Sequence, residues 1–178
     1  MHRCRPANSP SLTALLISAL LTACGGGGGG SSAGGGSNPP PTSEAPIQTG
    51  NWVDVAFSGL SYVSGTINGT TSATGGYTYR CPSGCDSIRF AIGGIAIGQA
   101  TVVAATLTLR ELQGGMEGGV LSSATLRRGQ FLFSLDSDAD VSNGVSIPAE
   151  VANVLSTRSL NFSSSTFDTE LAAILDVL

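Results

Sequence analysis

Asp136, Asp138 and Asp140 recur at every second position of the segment LDSDADVSNGVSI, residues 135–147. Three carboxylates so spaced can converge on one hard cation when the backbone curls, and calcium takes about six to eight oxygen ligands. Ser142, Asn143 or a backbone carbonyl would complete the shell, with Glu150 able to return from the segment that follows. The EF-hand template is not met: its sixth position, a glycine, is Val141, and its twelfth, a bidentate glutamate, is Ile147. The same residue types also build an acidic turn in which each Asp caps a backbone amide near Asn143-Gly144. Both readings, a structural calcium loop and a self-capped turn, are open to this sequence.

The other reactive groups are thiols. Cys24 ends an apolar run, LTALLISALLTA (12–23), that follows a basic start carrying Arg3 and Arg5. A basic start, a short apolar stretch and small residues at its end form a secretory signal peptide over residues 1–23. The run is shorter than the roughly 20 residues that span a bilayer. Leu21-Thr22-Ala23-Cys24 resembles the lipobox of bacterial lipoproteins. That resemblance implies a mature chain beginning at Cys24, with diacylglycerol on its sulfur and a membrane partner. Gly25, standing where an inner-membrane retention signal has Asp, implies an outer-membrane destination. Several acyl chains on one residue would anchor firmly, where a single chain binds only marginally.

Residues 25–42 read GGGGGGSSAGGGSNPPPT, with no apolar side chain large enough to offset the entropy lost on ordering glycine. With its flanks this makes 24–46 a tether, flexible in its Gly/Ser part and stiffer through Pro39-Pro40-Pro41, with a reach of roughly 20 Å. A single domain over 47–178 remains. Cys81 and Cys85 bracket CPSGC. Export to an oxidising compartment predicts that they pair as a disulfide, a modest staple contributing about 2 kcal/mol. A zinc site would need two further soft ligands, and the sequence has a single histidine, His2, inside the signal.

The same absences limit catalysis. Beyond Cys24 there is neither histidine nor lysine, which excludes a Ser-His-Asp triad, a Ser-Lys dyad and a lysine Schiff base. A carboxylate pair of the glycosidase kind survives, with Asp54, Asp86, Glu111, Glu117, Asp168 and Glu170 as its candidates. Six arginines face twelve acids after the signal, a formal charge of about −6. So acidic a domain lacks the basic surface that neutralises phosphates, and nucleic acid is a poor partner. Trp52, Tyr62, Tyr77 and Tyr79 could line a carbohydrate- or peptide-binding face or pack within a sheet.

The elements that would position these groups change character along the chain. Residues 51–69, 76–80, 87–99 and 101–112 alternate or run β-branched between glycine-rich turns and predict short antiparallel strands. The 76–80 and 87–97 strands are expected to form a hairpin across the CPSGC loop, with Gly93-Gly94 and Gly98 marking a bend or bulge. Helical spacing follows. Residues 124–135 would bury Leu126, Phe131, Leu132 and Leu135. A helix entered at Pro148 would turn Val151, Val154 and Leu155 to one side, and 168–178 would present Leu171, Ile174, Leu175 and Leu178. Strands first and two or three short helices after predict a small α+β domain.

The order GLSYVSGTINGTTSATGGYTY, SIRFAIGGIAIG and FLFSLDSDADVSNGVSI resembles an N-terminal module of secreted or surface bacterial lipoproteins. Gly76, Tyr77 and Tyr79 fit its second element, and Phe90, Ile92, Gly93, Ile97 and Gly98 its third. Leu135, Asp136, Asp138, Asn143 and Gly144 fit its last. The resemblance spans residues 58–178 and implies a non-catalytic part in binding an envelope protein or glycan, or in surface assembly. The chain departs from the pattern at Ala139-Asp140, where such modules often carry Gly-Asn.

Overall fold

A computed structural model of the protein describes residues 45–80, 87–101 and 105–178. Strands β1 (Ile47–Trp52), β2 (Phe57–Ser58), β3 (Ser61–Ser64), β4 (Ile67–Thr70) and β5 (Gly76–Arg80) come first. Next are β6 (Ile88–Ile92), β7 (Ile95–Ala100), β8 (Thr106–Leu107), β9 (Met116–Glu117) and β10 (Val120–Leu121). Helix α1 (Ser123–Ser134), the short strand β11 (Val145–Ser146), and helices α2 (Ala149–Val154) and α3 (Phe167–Leu175) complete the order. This is the α+β domain, strand-rich part first, that the hydrophobic pattern predicts.

The strands form a four-stranded antiparallel sheet, β4-β3-β6-β7, and a three-stranded sheet, β5-β1-β8. Two pairings depart from the antiparallel expectation: β1 runs parallel to β8, and β2 runs parallel to β11. The expected hairpin between 76–80 and 87–97 does not form. β5 pairs with β1, Gly50 opposite Tyr77, while β6 pairs with β3 on one side and β7 on the other. The tight connection is Gly93-Gly94, which joins β6 to β7 with Ile92 opposite Ile95. Short loops select sequence neighbours for antiparallel pairing: the two-residue glycine link gives β7 one edge of β6, and β3 occupies the other, which leaves β5 to pair with β1. The bulge is present: Phe90 faces Gly98 and Ala91 faces Ala96, leaving Ile97 as the extra residue.

Gly93 takes φ +56°, and a Cβ there would lie 2.5 Å from the Ala152 carbonyl oxygen. The neighbouring Gly94 N–H donates to Leu155 O at 2.9 Å. The β6–β7 turn is thus seated on the end of α2, a contact that only a residue without a side chain allows.

Between the sheets lies an aromatic core. Trp52 meets Phe57 and Phe90 edge-on at 5.3 and 4.9 Å between centroids, and Tyr77 meets Phe90 at 5.7 Å. The Tyr62 hydroxyl, on β3, lies 2.8 Å from Thr78 Oγ1 and accepts the Thr78 N–H at 3.1 Å, tying one sheet to β5 of the other. A second cluster joins Phe131 of α1 to Phe162 and Phe162 to Phe167 of α3, with the Arg127 guanidinium 5.1 Å from the Phe167 ring centre.

Helix α1 begins at Ser122, whose Oγ accepts the Thr125 N–H at 3.2 Å and donates to Gly114 O at 2.6 Å. Phe131, Leu132 and Leu135 are buried as expected, but Leu126 is 60% exposed. In the two later helical segments, Leu155, Leu171 and Ile174 face the core, whereas Val154, Leu175 and Leu178 do not. Val154 ends α2 on its exposed side, and the chain then tightens into a 3-10 turn at Leu155–Thr157 that buries Leu155. Leu175 is the last residue of α3, beyond which Leu178 has no helix to hold it inward.

Two glycine substitutions should act in opposite directions. A Cβ on Gly50 would meet the fully buried Tyr77 ring at 2.5 Å, whereas one on Gly129 would make only ordinary contacts at 3.6 and 3.7 Å. Gly50→Ala is expected to lose about 1–3 kcal/mol by overpacking. Gly129→Ala is expected to gain about 0.5–1 kcal/mol, because it replaces a helix-interior glycine without a clash. Urea unfolding of the two variants beside wild type measures both signs.

Candidate functional site

The Asp-rich segment leaves α1 and returns through β11, so that its two ends meet: Ser137 N–H donates to Ser146 O at 3.0 Å and Ser146 N–H donates to Asp136 Oδ1 at 2.9 Å. Asp138 accepts the Asp140 N–H on Oδ1 at 3.0 Å and the Asn143 side-chain amide on Oδ2 at 2.9 Å. Asp140 Oδ1 accepts both the N–H and the hydroxyl of Ser142, at 3.1 and 2.6 Å. The five residues expected as a cation shell are brought together, but as interlocked turns in which each Asp serves its own backbone. Among the described residues no three His, Cys, Asp or Glu side chains are grouped to hold a metal ion. The unused group is Asp136 Oδ2, which is buried and has no hydrogen-bond partner.

The Asn143 amide, then the Asp140 N–H, hold the Asp138 carboxyl below the usual carboxylate range. Ala139 sits at φ +57°, the one non-glycine residue with positive φ among those described. Glycine suits that conformation better than alanine does. Gly144, at φ +104°, brings the chain against β2, where Val145 N–H donates to Ala56 O at 2.8 Å.

The remaining expected site residues are placed elsewhere. Cys24, Cys81, Cys85 and Asp86 lie outside the described residues. Trp52, Tyr62, Tyr77 and Tyr79 are all core side chains, none more than 6% exposed, so they form no carbohydrate-binding face. Burial, and then the neighbouring Tyr79, push the Tyr77 phenol well above its ordinary value. Glu111 closes a capping box with Thr108, whose N–H it accepts at 2.7 Å. Glu170 accepts hydrogen bonds from the hydroxyls of Thr166 and Ser164, which hold its carboxyl below the usual range. The four principal clefts among the described residues hold Asp54 in one and Asp138 in another, and none holds two carboxylates.

Two of these clefts are large, and neither is evident from the sequence pattern. The first, of about 750 Å³, runs over the outer face of β3, β6 and β7 and carries Arg89 and Arg128. The second, of about 690 Å³, lies between the end of β1, the β9–β10 hairpin and α1. Its walls include Met116, Val120, Leu121, Leu126 and Phe133, each between 39% and 66% exposed, and Trp52 is among its lining residues. Trp52 is the single tryptophan of the chain, and its indole N–H has no acceptor. The missed signal is a second apolar stripe on α1. Leu126, Gly129 and Phe133 follow helical spacing on the side away from Phe131 and Leu132.

The loop gives a pH-dependent expectation. Because the folded Asp138 carboxyl is held low, its stabilisation is present above the ordinary carboxylate range and is lost as pH falls through the lowered value. Asp138→Asn should therefore lower Tm at neutral pH, with the gap to wild type closing in acid. Ala139→Gly should raise Tm slightly, as relief of left-handed backbone strain of about 1 kcal/mol outweighs the added chain entropy. Thermal melts from neutral pH down to pH 3 check both. No protein-family model, curated protein or solved structure matches the chain.

Proposed function

We propose that the protein is a non-catalytic, lipid-anchored module of a bacterial cell envelope, placed at the outer membrane and used to bind an envelope protein or glycan. The observation that carries this reading is the order of parts in the sequence. A basic start and short apolar run end in Leu21-Thr22-Ala23-Cys24, a Gly/Ser/Pro tether follows, and a domain with a closed aromatic core comes after. The binding part is supported by two open clefts of a volume usual for ligand sites, about 300–1,000 Å³. A non-catalytic role is supported by the lack of His and Lys beyond Cys24 and by the structural duties taken up by Glu111 and Glu170.

Cys24→Ser tests the anchor. The wild-type protein should fractionate with membranes and carry a mass excess of acyl groups over the chain from Cys24. The variant should lose both. A wild-type mass equal to the unmodified chain would overturn the proposal.

A structural calcium ion in the 136–144 loop is a second reading, favoured by one atom, the buried and unpartnered Asp136 Oδ2. Calcium should then raise Tm in the wild type and not in Asp136→Asn. Equal melting of the wild type in calcium and in chelator would leave the loop as a self-capped turn.

A further inference from the structure

We propose that the groove on the outer face of the four-stranded sheet binds the carboxylate of an acidic saccharide through Arg89 and Arg128. The inference goes beyond the lipid-anchored reading and does not depend on it.

Charge distribution supplies the first argument. The chain beyond the signal carries six arginines against twelve acids, yet two of the six line one groove and no described lining residue is acidic. Neither cation is paired with a carboxylate among the described residues, where the ion pair is Arg110 with Glu111, elsewhere in the chain. An anion is the partner that such a groove lacks.

Geometry supplies the second. Arg89 Nε donates to Gln99 Oε1 at 3.0 Å, which fixes the guanidinium while its two terminal nitrogens stay without a partner among the described residues. Arg128 reaches the same groove from α1. One terminal nitrogen donates to Gln113 O at 3.3 Å and the other to Thr125 Oγ1 at 3.5 Å, its carbon lies 5.8 Å from the Phe162 ring centre, and its Nε is buried with no acceptor. Gln113 N–H in turn donates to Gln99 O at 2.6 Å, so a continuous run of bonds links the supports of the two guanidinium groups. The Arg89 guanidinium, held through Nε with both terminal nitrogens unused among the described residues, pre-organises a fork that matches the two oxygens of a carboxylate, and Arg128 adds a second fixed positive charge beside it. Burial of Arg128 pushes it below its ordinary value, the direction expected of a cation stripped of water and given no counter-charge.

The rest of the lining selects the class of anion. Ser61, Ser87, Gln99 and Gln113 offer hydroxyl and amide groups suited to sugar hydroxyls, above a shallow floor that includes Val63 and Ala96. The groove lies over a sheet face, whereas an extended peptide is captured along a strand edge. A uronic-acid unit, with one carboxylate among several hydroxyls, fits this set.

The experiment titrates the full-length protein, in detergent, with tri-galacturonate, uncharged tri-galactose and tri-glutamate, followed by calorimetry at two salt concentrations. Tri-galacturonate should bind, weaken as salt rises, and lose at least about tenfold in affinity, about 1.4 kcal/mol, in Arg89→Gln and in Arg128→Gln. Arg89 is exposed, so Arg89→Gln should melt as wild type does and its effect cannot be attributed to misfolding. Arg128→Lys, which keeps charge and stem but not the fork, should fall between wild type and Arg128→Gln. No binding of tri-galacturonate, equal binding of tri-galactose, tighter binding of tri-glutamate, or unchanged affinity in Arg89→Gln would each overturn the proposal.

Discussion

Three aromatic rings in this domain each lie opposite a glycine on the neighbouring strand: Tyr77 across from Gly50, Tyr62 from Gly69 and Phe90 from Gly98. Tyr77 and Tyr62 lie over the bare backbone so closely that a Cβ would fall within 2.6 Å of the ring or its hydroxyl. Glycine in a strand is normally a weakness, and an aromatic neighbour across the ladder covers the backbone it exposes. Here the arrangement does more, because the rings so positioned meet one another between two sheets. Most other features hang on that contact. Phe57, held against Trp52, places β2 where β11 can pair with it, and β11 closes the Asp loop.

The same constraint explains what the sequence made legible. Period-2 alternation marks Tyr77 and Tyr79, and again Ile88, Phe90 and Ile92, as one-faced strands, and all are buried. Alternation states which side of a strand is apolar; it does not state which strand lies beside it. The pairing of β5 with β1 rather than β6, and the parallel partners β8 and β11, come from contacts distant in sequence. Helix α1 is legible at both ends, yet its spacing also fits Leu126 to the inner face, whereas Leu126 is exposed. An apolar residue at helical spacing fits an inner or an outer stripe, and only the β9–β10 hairpin beside it shows which.

The Asp loop shows a different limit. Alternate aspartates are the signature of oxygen ligands for a cation and equally of successive Asx turns, since both need a short side chain with two acceptors. The spacing is common to both, so only the direction of each oxygen separates them. Asp138 and Asp140 turn to local N–H groups, with Asp136 Oδ2 left over. The arginine groove was out of reach for a related reason. Arg89 and Arg128 are 39 positions apart, and nothing in an acidic composition hints that two of six cations share a surface.

The parallel pairing of Phe57 with Val145 joins points 88 residues apart, and Ile147 N–H donates to Ser58 O at 3.2 Å to extend it. A chain that emerges from a pore amino end first would hold β2 without its mate until nearly the whole length had passed through. A polypeptide wired in this way closes late, once residues far along the chain are available, and stays open to chaperones until then.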